Sequence, residues 1–186
     1  MSAAVFLDRD GVLIEEKNYL HRPVDVVVLP EAGDALKRLQ DAGFALFIVT
    51  NQSGVGRGYF TLADVDQVHE CLAREFARHG VRFTHIYVAP EAPDQPSRGR
   101  KPSPQFLFDA RAGYGIDLAQ SHMVGDKSVD LQCGWNAGVK TCWLVRTGYG
   151  AATEKDLPMD HPPLMVVDNL KEMADQILAA YPYAAH

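Results

Sequence analysis

Cysteine and long apolar stretches are both scarce in this sequence. The three cysteines, Cys71, Cys133 and Cys142, form no C-x-x-C pair, and so small and odd a set predicts reduced thiols in an intracellular protein. No apolar run approaches the roughly 18 residues that a membrane-spanning helix needs, and no signal peptide precedes the first acidic motif. These absences lead us to expect a cytoplasmic protein with no membrane partner.

An excess of basic charge is lacking as well. The chain has 18 Lys and Arg residues against 24 Asp and Glu residues, for a formal net charge of -6. Because nucleic-acid-binding proteins usually carry a basic face, we expect no nucleic acid partner. A length of 186 residues with 47% hydrophobic and 23% charged residues is typical of a soluble globular protein. We expect a single domain over residues 1–186, and a monomer.

Nearly continuous apolar segments alternate with helical patterns along the chain. Strands are predicted at 3–8, 44–50, 84–89, 122–125, 140–145 and 164–167. Helices are predicted within the stretches 30–43 and 61–80, at about 103–112 and 129–137, and from about 170 onward. Strands that are apolar on both faces are typical of parallel sheets covered by helices on both sides. The pattern therefore predicts an α/β fold, a doubly wound (Rossmann-like) parallel sheet with helices on both faces.

Local signals indicate where the helices begin and end. Pro30 is expected at the first position of the first helix, and Gly43 just past its end. Thr61 is expected to cap the second helix. The buried face of that second helix is predicted to carry Leu62, Val65, Leu72 and Phe76. Irregular connections are predicted at 11–29, 90–102 and 146–163.

Two acids directly follow the first strand, in the stretch VFLDRDGVLI. In an extended backbone Asp8 and Asp10 point the same way, and their charges repel each other unless a cation joins them. The stretch GDKSVD after the fourth strand adds Asp126 and Asp130, for which helix capping is the alternative role. Ligands of doubly wound sheets bind at the carboxyl ends of the strands, so these carboxylates should meet there around a hard cation such as Mg²⁺.

Two further polar segments belong to the same predicted edge. The glycines of TNQSGVGRG match neither G-x-G-x-x-G nor the phosphate loop that ends in Lys-Ser/Thr. We interpret this segment as a phosphoryl site made of the Thr50 hydroxyl and backbone N–H groups of Thr50 and Asn51, with a simple turn as the alternative. In RGRKPSP, Lys101 would balance phosphate charge, and a solvated basic loop is the alternative.

Together these motifs resemble the haloacid dehalogenase superfamily of phosphohydrolases. That family has an Asp-x-Asp after the first strand, a Thr or Ser after the second, then a Lys, then a Gly-Asp with further acids. All four occur here in that order, over roughly residues 4–148. The stretches FLDRDGVL, VTNQSGVGRG, RKPSP and VGDKSVDLQ resemble the branch of D-glycero-D-manno-heptose 1,7-bisphosphate phosphatases, which includes histidinol-phosphate phosphatases.

The resemblance implies a mechanism for the acid pair. Asp8 would attack phosphorus and form an aspartyl phosphate, and Asp10 would act as general acid and then as general base. One Mg²⁺ would be bound by the Asp8 side chain, the Asp10 backbone carbonyl and Asp126. The transferring phosphoryl group would be stabilised by Thr50, Asn51 and Lys101. Asp130 would orient Lys101 or a metal-bound water.

The resemblance also implies a substrate, a small phosphorylated sugar. The segments after Gly11 and Ala89 are too short for the separate cap domain of many relatives, so loops should recognise the substrate. The implied substrate contacts are Glu16, Lys17, Asn18, Tyr19, Asn51, Gln52, Ser53, Arg100 and Lys127. The expected reaction is removal of the 7-phosphate of heptose 1,7-bisphosphate. A histidinol-phosphate phosphatase, another small-metabolite phosphatase and a non-catalytic phosphosugar-binding module are the alternatives.

One feature of the family is absent from the sequence. Many relatives carry a zinc-binding loop with three Cys and one His before the Lys motif. The corresponding stretch here, VAPEAPDQPSRGRK, contains neither residue type, so no structural zinc is predicted. Pro90, Pro93 and Pro96 are expected to stiffen the loop instead.

Overall fold

The protein is built around one parallel sheet. The computed structural model describes residues 2–158 and 160–181. The six strands are β1 Ala4–Leu7, β2 Ala45–Asn51, β3 His85–Ala89, β4 His122–Gly125, β5 Thr141–Val145 and β6 Leu164–Val167. They all run parallel, in the sheet order β3-β2-β1-β4-β5-β6. The predicted doubly wound α/β fold is therefore confirmed.

Helices cover both faces of this sheet. Their bounds are α1 Ala32–Asp41, α2 Ser53–Gly56, α3 Leu62–Ala77, α4 Gln105–Tyr114, α5 Ser128–Ala137, α6 Gly150–Asp156 and α7 Leu170–Ala180, with single 3-10 turns at Pro23–Asp25 and Leu118–Gln120. Val5 and Leu7 of β1 belong to the core packed by α1, α3 and α7, and Phe6 belongs to the core packed by α4 and α5. Within the described ranges, no helix is long and apolar enough to cross a bilayer.

Most of the predicted helix signals are confirmed, with two exceptions. The Thr61 side chain accepts a hydrogen bond from the Asp64 N–H at 3.2 Å, and so caps α3 as expected. Pro30 is not at the first helical position, because the left-handed Glu31 (φ 60°) precedes a helix that starts at Ala32. Leu62 is 48% exposed, because the first residue of α3 lies before the turns that pack on the sheet.

Two helices lie in segments predicted to be irregular or unassigned. The α2 turn, Ser53–Gly56, is four residues long and contains two glycines, which have low helix propensity. The α6 helix, Gly150–Asp156, has seven residues and a single buried position. Such short helices carry no apolar periodicity that a sequence pattern could reveal.

His122 at the start of β4 is a buried histidine that should make folding sensitive to acid. Its Nδ1 accepts a hydrogen bond from Trp143 Nε1 at 3.2 Å. Burial, helped by the charge of Lys140, lowers the pKa of His122 to about 4. The unfolded chain binds this proton near pH 6.5, so stability should fall between pH 6.5 and 4 by roughly 2–3 kcal/mol for this group alone.

Urea unfolding at several pH values tests this expectation. His122→Asn leaves an amide oxygen to accept from Trp143, and its unfolding free energy should fall less steeply below pH 6.5 than that of the parent. A parallel His85→Asn variant, at an exposed position of β3, controls for the loss of one histidine. Parallel curves for the parent and His122→Asn would show that His122 contributes nothing to acid sensitivity.

Candidate active site

The acids that follow β1 and β4 lie together at one edge of the sheet. β1 and β4 are adjacent, and the strand order reverses between them, which opens a crevice at their carboxyl ends. One carboxylate oxygen each of Asp8, Asp126 and Asp130 lie within 4.8 Å of one another. Among residues 2–158 and 160–181, this is the only such group of three or more metal-ligating side chains.

Lys101 lies between two of these carboxylates. Its Nζ is 2.8 Å from Asp8 and 2.6 Å from Asp130, and it donates to the Val49 carbonyl at 2.7 Å. Burial disfavours the Lys101 charge, but Asp130 and Asp8 outweigh burial and raise the pKa of the ammonium group. Two carboxylates and a carbonyl therefore surround the ammonium group, and the side chain stays charged inside the protein.

Asn51 positions Lys101 through the backbone. The Asn51 amide oxygen accepts from the Lys101 N–H at 3.0 Å, and the Asn51 amide nitrogen donates to the Lys101 carbonyl at 3.1 Å. This double hydrogen bond joins the end of β2 to the segment before α4. The Asn51 side chain is thus occupied in holding the lysine, although the residue also lines the cavity described below.

Asp126 is held in a tight backbone cradle. Gly11 (φ +80°) and Gly148 (φ +56°) enclose it so closely that a Cβ on either would lie 2.2 or 2.3 Å from its Oδ2. That Oδ2 accepts from the Tyr149 N–H at 2.8 Å. Its Oδ1 is buried and has no hydrogen-bond partner in the described part of the chain. Burial of the Asp126 carboxylate, together with the negative charge of Asp8, disfavours its ionised form and raises its pKa to about 7.

The oxygen-rich donor set of this cluster fits a hard divalent cation. Buried carboxylates repel one another, and a free oxygen on Asp126 lacks any partner that would offset its burial. Mg²⁺ binds through one or two protein carboxylates and keeps its remaining positions for water or phosphate oxygens. Two of the predicted ligands, Asp8 and Asp126, belong to this cluster, and its carboxylate oxygens are of the kind that Mg²⁺ prefers.

Arg9, which was not predicted as a site residue, is the largest fully buried side chain among residues 2–158 and 160–181 and is 1% exposed. Its Nε and Nη2 donate to both carboxylate oxygens of Asp10, at 3.0 and 3.1 Å. Nη2 also donates to the Leu20 carbonyl at 3.2 Å and to Gln52 Oε1 at 3.1 Å. Nη1 contacts His69 Nε2 at 3.3 Å. Its position between Asp8 and Asp10, directly after a buried strand, is the sequence feature that could have marked Arg9 as part of the site.

Asp10 is held by this arginine and by Gln52. Gln52 Nε2 lies 3.1 Å from Asp10 Oδ2 and 2.8 Å from Thr50 Oγ1, so the buried Thr50 hydroxyl lies behind the glutamine. Burial raises the pKa of Asp10, Arg9 opposes that rise, and the charges of Asp8 and Glu16 add to it, so the net shift is upward. A carboxyl group in these surroundings is suited to carry a proton.

A cavity of about 260 Å³ opens over this cluster. The predicted residues that line it are Asp8, Asp10, Glu16, Asn18, Tyr19, Asn51, Gln52, Ser53, Lys101, Lys127 and Asp130. Its other lining residues are Arg9, Leu20, Val129 and Tyr149. The cavity therefore brings together loops from β1, β2, β4 and β5 that are far apart in the sequence.

Four predicted residues do not line the cavity. Lys17 donates to the Asp25 carbonyl at 2.8 Å, and Arg100 donates to the Glu91 carbonyl at 3.1 Å. The remaining two, Thr50 and Asp126, lie beneath the lining side chains. Of these four, Asp126 belongs to the acid cluster itself.

The loop that lacks zinc ligands is ordered by its own hydrogen bonds. Ser97 Oγ donates to Glu91 at 2.6 Å and accepts from the Arg100 N–H at 3.1 Å. Gln95 Oε1 accepts from the Ala92 N–H at 2.8 Å. These polar contacts connect the two ends of the loop and leave Lys101 at a defined position.

Comparison with known proteins gives consistent matches over most of the chain. Residues 99–173 match the HAD-hydrolase-like family model. The D-glycero-beta-D-manno-heptose-1,7-bisphosphate 7-phosphatase of Haemophilus ducreyi is 39% identical over 94% of this chain and 97% of its own length. The D-glycero-alpha-D-manno-heptose-1,7-bisphosphate 7-phosphatase of Photorhabdus laumondii is 36% identical over 77% of this chain and 82% of its own.

A solved structure is similar in fold over nearly the same range. The crystal structure of D,D-heptose 1,7-bisphosphate phosphatase from B. bronchiseptica, complexed with magnesium and phosphate, has 34% sequence identity and a TM-score of 0.88. The match covers 96% of this chain and 99% of that one.

Proposed function

The chain belongs to the haloacid-dehalogenase-like phosphatases, which are phosphoric monoester hydrolases, and we propose that it removes the 7-phosphate of D-glycero-D-manno-heptose 1,7-bisphosphate with one Mg²⁺. The observation that carries this proposal is the cluster of Asp8, Asp126 and Asp130 beneath a polar cavity. The names of the relatives support a heptose bisphosphate as the substrate, and both the alpha and the beta anomer occur among those names.

The cation would be held by the side chains of Asp8 and Asp126 and by the Asp10 backbone carbonyl. When bound, Mg²⁺ supplies positive charge to the oxygens of the phosphoryl group. Lys101 adds a fixed positive charge beside Asp8. Because the ammonium group already lies against Asp8, Asp130 and the Val49 carbonyl, its first effect is to orient the Asp8 carboxylate. Contact with a phosphoryl oxygen would require that it move away from one of these oxygens.

Asp8 and Asp10 divide the chemistry between them. The Asp8 carboxylate attacks phosphorus, the bond from phosphorus to the sugar oxygen breaks, and that oxygen takes the proton of Asp10. Water then attacks the phosphorus of the aspartyl phosphate and loses a proton to Asp10. Inorganic phosphate leaves, and both carboxyl groups return to their starting states. The raised pKa of Asp10 supports its role as the proton donor.

A phosphate-release panel tests both the reaction and the substrate. The panel contains both anomers of heptose 1,7-bisphosphate, histidinol phosphate and common hexose phosphates, each assayed with Mg²⁺ and with EDTA. We expect the highest kcat/KM for a heptose bisphosphate, loss of release in EDTA, and recovery when Mg²⁺ is added in excess.

Two results would contradict the proposal. If histidinol phosphate exceeded the heptose bisphosphates by more than about tenfold in kcat/KM, which is about 1.4 kcal/mol, the proposed substrate would be wrong. If EDTA left the rate unchanged, the proposed Mg²⁺ requirement would be wrong. Metal analysis of the same preparation also tests the prediction on zinc, which stoichiometric bound zinc would refute.

A further inference from the structure

One wall of the cavity consists of Glu16, Lys127 and Tyr149. Lys127 Nζ lies 3.0 Å from Glu16 Oε2 and 4.6 Å from the centre of the Tyr149 ring. An ammonium group over an aromatic face is attracted by the negative charge of that face. The Lys127 side chain is 39% exposed, so a ligand in the cavity can still reach it.

Tyr149 is fixed at its backbone rather than at its ring. Its N–H donates to Asp126, and its carbonyl accepts from the N–H groups of Ala152 and Thr153 at the start of α6, at 3.0 and 2.9 Å. The residue is 45% exposed and lines the cavity. An aromatic side chain is thus held by its backbone next to the acid cluster, in a cavity lined mostly by polar residues.

The chemistry of this wall matches a cyclic sugar with two phosphates. The carbon face of a sugar ring is apolar and packs on aromatic rings, whereas a phosphate pairs with an ammonium group. The opposite end of the substrate would lie at Asp8, where the reacting phosphoryl group belongs. The cavity therefore offers a carboxylate for the reacting phosphate, an aromatic face for the ring and an ammonium group for the second phosphate.

We propose that Tyr149 determines specificity, because its ring packs against the sugar ring and holds Lys127 at the second phosphate. This inference rests on the proposed function. Every substitution of Tyr149 other than by proline keeps the N–H that donates to Asp126, so the contribution of the ring can be tested apart from the acid cluster. Phe at this position keeps the aromatic face, whereas Ala and Leu remove it.

The test compares a cyclic bisphosphate with an acyclic ester. With the full-length protein and Mg²⁺, Tyr149→Ala and Tyr149→Leu should raise KM for heptose 1,7-bisphosphate about tenfold. KM for glycerol phosphate should rise much less, and Tyr149→Phe should restore the parent KM for the bisphosphate. Tyr114→Ala is the matched control, since Tyr114 is 44% exposed and does not line the cavity.

The possible outcomes separate this inference from the proposed function. An equal rise in KM for both esters, a loss confined to kcat, or no change in either variant would overturn the role of Tyr149. A parent protein that hydrolyses glycerol phosphate but no cyclic sugar phosphate would contradict the proposed function instead. Thermal unfolding of each variant identifies any that fails to fold, and in that case the remaining one of the Ala and Leu pair decides.

Discussion

Asp8→Asn should lower kcat/KM for phosphate release by at least about 10³-fold, which is the largest effect expected of any substitution in this chain. The amide is nearly the same size as the carboxylate but has no negative charge with which to attack phosphorus. Lys101 would keep Asp130 and the Val49 carbonyl as acceptors, so the surrounding structure should persist. The measurement is phosphate release from the preferred substrate of the parent, in the presence of Mg²⁺.

A matched control makes the Asp8 experiment specific. Asp66→Asn applies the same chemical change at an exposed position of α3 and should retain the parent rate. When a reaction with substrate labelled in its phosphate group is quenched with acid, label should remain on the parent protein and be absent from Asp8→Asn. A silent Asp8→Asn beside an active parent would also eliminate the non-catalytic phosphosugar-binding alternative. Activity of Asp8→Asn within tenfold of the parent would contradict the assignment of the nucleophile.

Arg9→Met should lower the free energy of unfolding by about 3–5 kcal/mol, because it removes one partner of a buried ion pair. The Asp10 carboxylate, the Leu20 carbonyl and Gln52 Oε1 would all lose a donor inside the protein. Met has a similar length, so the loss reflects missing hydrogen bonds rather than an empty cavity. Urea unfolding at neutral pH measures the change.

Two further variants serve as controls for the unfolding free energy of Arg9→Met. Arg22→Met removes an arginine whose pairing with Asp25 is exposed to solvent, and it should change stability little. Arg9→Lys keeps the charge but cannot reproduce the planar fork that reaches Asp10 with two nitrogens, so its stability should lie between those of the parent and Arg9→Met. If Arg9→Met unfolded at the same urea concentration as Arg22→Met, the buried network would have no stabilising role.

The fold could be predicted from the sequence because its strands are short apolar runs with polar residues at their carboxyl ends. Asp8 and Asp126 follow such runs directly, and in a parallel sheet this position alone brings them to one edge. Lys101 was assigned to the same edge on similar grounds, and it indeed contacts Asp8. The site residues that directly follow strands are therefore those that the amino-acid sequence alone can predict.

The remaining parts of the site depend on side-chain directions that a linear pattern does not contain. Lys17 and Arg100, which are predicted to contact the substrate, do not line the cavity, and each donates to a backbone carbonyl. Arg9 was overlooked because its side chain turns back to Asp10, its own neighbour in the chain. Tyr149 lies in a segment predicted to be irregular, and the contact of its N–H with Asp126 joins residues 23 positions apart.

The order of the strands has a consequence for how this protein is made. β1 pairs with β2 on one side, but its other edge has no partner until the ribosome has produced residues 122–125 of β4. A bare apolar strand edge readily pairs with other chains. Asp126 directly follows that same segment, so the carboxylates of Asp8 and Asp126 can meet only when this edge of β1 is paired. A cation site made of these carboxylates therefore forms only after most of the sheet has been synthesised.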